Sequence, residues 1–200
     1  MPADESPINL THHFLIAMPG LLEDEIFGRS VVYLCEHSDR GALGIVINKP
    51  SDINLKNLFD KVDLPLQRSD LVAAPVFQGG PVATERGFVL HEALFAGPER
   101  PEETVYASTM TIPGGLEMTT SKDVLEALSS GGGPRKVLIS LGYSQWGEGQ
   151  LESELAENSW LTVGADAGII FDTPIDQRYD KALGLLGLQS WMISSEAGHA

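Results

Sequence analysis

Two β-branched and aromatic blocks, Ser30-Val-Val-Tyr-Leu-Cys35 and Ala42-Leu-Gly-Ile-Val-Ile47, constrain this chain more than any other feature. Blocks of this length and composition read as strands. The polar stretch Glu36-His-Ser-Asp-Arg-Gly41 between them suits the loop of a hairpin, about six residues long. Around this hairpin the chain must build a sheet, because an isolated pair of strands is not stable in water.

The remaining sequence supplies more strands and a few helices. Phe14-Leu-Ile-Ala-Met18, closed by Pro19-Gly20, reads as a buried strand. Leu55, Leu58, Phe59 and Val62 fall at i, i+3, i+4 and i+7, the spacing of a short amphipathic helix. Val76-Phe77 and Gly87–His91 read as strands around a sharp Gly79-Gly80-Pro81 turn. Two further strands are expected at Thr104–Ser108 and Met110–Ile112. Thr120-Ser-Lys-Asp123 reads as a capping box opening a helix through Leu128. Lys136–Ser140 is then a strand, Gly142-Tyr-Ser a turn, and Gln150–Ser159 a helix. Trp160–Val163 and Gly168–Phe171 complete the strands. Pro174 opens a last helix, with Leu183, Leu185, Leu186 and Leu188 as its apolar side. Helices interrupt the strands irregularly, which is an α+β pattern. The 200 residues form a single domain, 1–200, with an ordered core of about 9–190 and frayed termini.

Charge narrows the function. Acidic residues number 28 and basic residues 13, a net charge of −15. Such a surface repels polyanions, so direct contact with nucleic acid and with anionic membranes is not expected. A lone cysteine leaves no intramolecular disulfide, and the N-terminus lacks the basic and apolar regions of a secretory signal. The expected location is the reducing cytoplasm. Nothing points to a metal or another cofactor. Glycine-rich turns and strand edges permit a homo-oligomer.

Few residues suggest chemistry. Alternation along a strand places Cys35 and His37 on one face, so an imidazole beside the sulfur would favour a thiolate nucleophile. Against this, a cysteine after Val-Val-Tyr-Leu is ordinarily a small core residue. Gly142-Tyr-Ser144-Gln-Trp146 sits where a nucleophile elbow would lie, but Trp146 replaces the required glycine. Glu152 opens a helix beside that turn. The acidic runs Glu23-Asp24-Glu25 and Glu148–Glu157 read as solvated faces. Asn48, Lys49, Gly79 and Gly80 are turn residues able to line a cleft.

Taken together, Phe14-Leu-Ile-Ala-Met-Pro-Gly20, Val31-Val-Tyr-Leu-Cys-Glu-His37, Gly41–Pro50, Gly79-Gly-Pro-Val82 and Gly142–Glu152 closely resemble the YqgE/AlgH family of bacterial proteins. Glu157-Asn-Ser-Trp160 and Arg178-Tyr-Asp-Lys-Ala182 continue the likeness, which runs from about Asn9 to Leu188. The resemblance implies one α+β domain, with mostly antiparallel strands in a flattened pseudo-barrel flanked by helices. It implies much less about activity, although some members carry a regulator's name. The family pattern has a small residue where Gln145 stands, and tolerates Ala at Ser144, which argues against a serine nucleophile. The expected function is therefore regulation through a protein or small-molecule partner, with contact sites among Asn48, Lys49, Gly79, Gly80, Ser144, Trp146 and Glu152. The alternatives are a thiol enzyme or redox sensor at Cys35 with His37, and direct DNA-binding regulation.

Overall fold

In a computed structural model, residues 9–18, 28–94 and 105–189 are described. The expectations for Pro19-Gly20, Glu23-Asp24-Glu25, Thr104 and both termini lie outside them. The strands join one ten-stranded, mostly antiparallel sheet. Its first strands are β1 (His13–Ala17), β2 (Val31–Ser38) and β3 (Gly41–Val46). Phe14 and Ile16 of β1 enter one hydrophobic cluster, and Leu15 and Ala17 a second on the opposite face. With both faces covered, Phe14–Ala17 offers no polar position, which is why it reads as an unbroken apolar run.

β2 and β3 form the expected hairpin, but Ser38 pairs with Gly41, so Asp39 and Arg40 alone span the turn. The six-residue loop is thus corrected. Glu36 and Ser38 are polar because the end of the strand is half solvated, with His37 buried between them. β4 (Pro50–Asn54) leads into α1 (Leu55–Lys61). Leu55, Leu58 and Phe59 pack into a third cluster, as their spacing requires.

β5 (Pro75–Gln78) and β6 (Val82–Glu92) do not pair with each other. Both flank the long strand β9 (Val137–Trp146), β5 in parallel and β6 antiparallel. β7 (Thr109–Ile112) and the unanticipated β8 (Leu116–Thr119) continue the sheet beyond β6. Residues 105–108 are bends rather than strand. The helix α2 (Lys122–Ser129) starts one residue later than expected, at an N-cap Ser121 that makes no side-chain capping bond. The Ser121 hydroxyl instead donates to Asp123, and both side chains accept from the backbone of residues 107 and 108.

The expected turn at Gly142 is absent. β9 continues through it, pairing with β6 and β5 first and with β3 at Ala42–Gly44 afterwards. α3 (Gln150–Ala156) and β10 (Trp160–Gly164) follow, and β10 pairs with β1. Gly168–Phe171, read as a strand, belongs to helix α4 (Ala167–Phe171). The Asp166 carboxylate caps it by accepting from the Gly168 N–H, and adjacent Ile169 and Ile170 both enter the first cluster. A strand's alternation would have sent them to opposite faces. After a 3-10 turn at Ile175–Gln177 comes α5 (Arg178–Gly184), which buries Arg178, Tyr179, Ala182 and Leu183. Leu185 and Leu186 lie beyond α5 and are exposed, so the expected leucine face is only partly buried.

Candidate functional site

The spacing of Cys35 and His37 is broken by a β-bulge. Leu34 pairs with Gly44 and Glu36 with Leu43, which leaves Cys35 as the extra residue. Cys35 turns into the first cluster, while His37 pairs with Ala42 of the second. The two side chains therefore lie on opposite faces, and the expected imidazole beside the sulfur is corrected. The thiol is buried, with the Tyr33 carbonyl 3.8 Å away. Burial first, and the nearby Glu36 charge second, push its pKa far above the ordinary thiol range. At neutral pH it is a thiol, and thiols are poor nucleophiles.

His37 has a different partner. Its Nδ1 accepts from the Leu10 N–H at 2.9 Å, so the proton sits on Nε2, which donates to Glu152 Oε1 at 2.6 Å. The His37 bond, ahead of the opposing cost of burial, holds Glu152 below its usual carboxylate range. Glu152 and His37 thus meet across 115 residues of sequence. With both ring nitrogens engaged and the ring buried, the pair ties the N-terminal segment and β2 to α3. Sequence reasoning missed this link because only the bulge turns His37 toward α3.

The glycine motifs mark a close crossing of two backbones. A Cβ on Gly79 would lie 2.3 Å from the Gly142 carbonyl oxygen, and one on Gly80 2.3 Å from the Tyr143 carbonyl. Gly142 bends β9 at φ 81°. Ser144 is buried and donates to the Gly79 carbonyl at 3.1 Å, which reinforces the same crossing. Trp146 is buried too, edge-on to Trp160 at 6.2 Å between ring centroids. Both indole N–H groups donate to Glu154 Oε1, so one acid of the supposed solvated series is a structural anchor. Gln145 points outward opposite Leu43 and alters no pocket with Ser144 and Trp146. Gly79, Gly80 and Ser144 therefore hold the fold at this crossing, while Trp146 packs against Trp160.

Two cavities open instead on either side of Ile175. One, of about 430 Å³, is lined by Arg29, Asn48, Lys49, Asp176 and Tyr179 among others. Asn48 is braced here by the Val31 N–H and the Arg29 carbonyl. Lys49 donates to the Gly28 carbonyl at 2.6 Å. Burial, then the neighbouring Arg29 charge, lowers the Lys49 pKa. Arg29 stacks 4.8 Å from the centre of the Tyr179 ring.

The second cavity, of about 360 Å³, has apolar walls that include Leu55, Phe77, Ile139, Ile170 and Phe171. Arg178 reaches it from α5 and is only 7% exposed. Sequence reasoning named Asn48 and Lys49 but used Arg178 only as part of a family string. The signal available was the buried face of α5, where a basic residue precedes Tyr179. Among the described residues no group of three or more His, Cys, Asp or Glu side chains is placed to hold a metal ion.

Comparison with known proteins agrees with this architecture. The AlgH-like family model matches residues 14–191. UPF0301 proteins of Variovorax paradoxus and of a Polaromonas species are 77% and 78% identical to this chain, with both chains covered in full. The solution structure of the AlgH protein from Pseudomonas aeruginosa is 45% identical, covers 98% of each chain and superposes with a TM-score of 0.73. A Corynebacterium diphtheriae protein at 19% identity shares the fold, with a TM-score of 0.68 over 92% of this chain and 93% of its own. On sequence and on fold alike, the chain belongs to the AlgH-like family.

Proposed function

We propose that this chain is a regulatory binding protein, which influences gene expression indirectly through a small-molecule or protein partner rather than by catalysis. The observation that carries this reading is the contrast between sealed and open groups. The thiol of Cys35, the hydroxyl of Ser144 and the imidazole of His37 are buried in internal contacts. The two cavities beside Ile175 present cations, carbonyl-braced side chains and apolar walls, and their lysines are engaged, Lys49 with the Gly28 carbonyl and Lys136 with Asp172. A cytoplasmic location fits the single buried free thiol, and no helix among the described residues is long and apolar enough to cross a membrane.

The competing reading, a thiol enzyme or redox sensor, is tested by iodoacetamide labelling of the native protein across pH. The expected result is labelling of Cys35 only after denaturation. Fast native labelling that titrates below the ordinary thiol value of about 8.5 would contradict the proposal.

A further inference from the structure

Arg178 is a buried cation without an acid. Its Nε donates to the Thr173 carbonyl at 2.9 Å, its Nη1 donates to the Ile47 carbonyl, and the guanidinium lies 5.1 Å from the centre of the Phe77 ring. No carboxylate pairs with it among the described residues, and burial pushes its pKa down to about 10. A guanidinium offers five N–H groups, and Nε and Nη1 alone are bonded here. Its Nη2 is not sealed off, because the described residues include no buried side-chain nitrogen lacking a partner. Arg178 is one of the residues that line the second cavity.

The acids around this cavity are already matched. Asp70 takes two bonds from Arg68, at 3.0 and 2.7 Å, and Asp172 pairs with Lys136. Both carboxylates are more than half exposed, which places them at the rim, whereas Arg178 is inside. Arg135 adds another positive charge to the lining. Three bases, Arg135, Lys136 and Arg178, thus line it against two acids, in a chain where acids outnumber bases 28 to 13. The interior also has the size and apolar walls of a small-molecule site.

We infer that this cavity binds a small organic acid, its apolar body against Ile139, Ile170 and Phe171 and its oxyanionic head on the free edge of Arg178. The two carbonyl bonds and the Phe77 ring hold the guanidinium in place before the ligand arrives, which limits the ordering cost of binding. This deepens the binding-protein reading and rests on it.

The test is an amide chemical-shift titration of the ¹⁵N-labelled full chain with hexanoate. Hexanamide serves as its neutral counterpart and inorganic phosphate as a head group without a body. Hexanoate is expected to give saturable shifts at Ile170, Phe171, Ile175 and Arg178, with hexanamide and phosphate at least tenfold weaker. Arg178→Gln is expected to weaken hexanoate binding at least tenfold. Ala74→Phe, which fills the cavity wall away from the guanidinium's partners, is expected to abolish it and decides the matter if Arg178→Gln does not fold. No hexanoate shifts, equal binding of hexanamide or phosphate, or binding retained in the Ala74→Phe protein would each overturn the assignment. A silent titration with Cys35 still sealed against iodoacetamide removes the organic acid and leaves the broader reading standing. A reactive Cys35 removes the broader reading whatever the titration shows.

Discussion

At the scale of single residues, the glycine motifs work by having no side chain. Gly80→Ala would drive a methyl group into the backbone of Tyr143, and a substitution of this kind is expected to cost about 3 kcal/mol or more. Gly87 differs, because a methyl group added there would meet nothing within 4 Å. Gly87→Ala is therefore expected to change stability by about 0.5 kcal/mol or less. Urea unfolding of both variants checks the contrast. Turn chemistry was legible at Gly79-Gly80-Pro81, where the chain does reverse between β5 and β6, but Gly142 kinks a continuous strand rather than closing a turn. A close approach between segments more than 60 residues apart leaves no local signature, and neither does the bulge that separates Cys35 from His37.

At the scale of elements, the helix caps illustrate how local signals compete with tertiary ones. Asn54 and Asn57 form a reciprocal capping box at α1. Asn54→Ala is expected to cost about 1 kcal/mol, measured by chemical denaturation. The Thr120–Asp123 string has the same form, yet its Ser121 and Asp123 side chains bind the preceding segment instead. The hairpin strands and β10 were legible from β-branched and aromatic composition, and α1 and α3 from helical spacing, because those signals lie within each segment. α4 was not, since Gly168-Ile-Ile-Phe171 carries β-branched residues and only its capping by Asp166 and its packing make it helical.

Titration belongs to this scale too, because it acts through contacts between elements. His91 joins β6 to β8: its Nδ1 donates to the Glu92 carbonyl, so Nε2 accepts from the Thr119 hydroxyl at 2.8 Å. Burial lowers its pKa below 6.5. A depressed histidine contributes stability above its unfolded value, lost as pH falls through the folded one. Glu152 is depressed by its bond to His37, so its contribution is complete above about 4.5 and is lost at still lower pH. Urea midpoints are therefore expected to fall between pH 7.5 and 5.5, and again below pH 4.5. In Glu152→Gln the second decline should shrink, with a loss of about 1 kcal/mol at neutral pH for this half-exposed pair.

At the scale of the whole molecule, three hydrophobic clusters are stitched by one strand. β9 pairs with β5 and β6 through its first half and with β3 through its second, so the kink at Gly142 curls the sheet. The pattern of strands and helices foretold this α+β architecture, and the family likeness its curled sheet. The cavities beside Ile175 were only half visible, because their walls converge from β5, β9, α4 and α5. Net charge bears on function at the same scale. A chain of charge −15, with 13 bases against 28 acids, is poorly suited to follow a phosphate backbone. Any control of gene expression by this protein is therefore expected to be indirect. The decisive measurement is a mobility-shift titration against promoter DNA at about 50 mM salt. The expected result is no retarded complex at micromolar protein. A sequence-specific complex whose affinity falls steeply with added salt would contradict it.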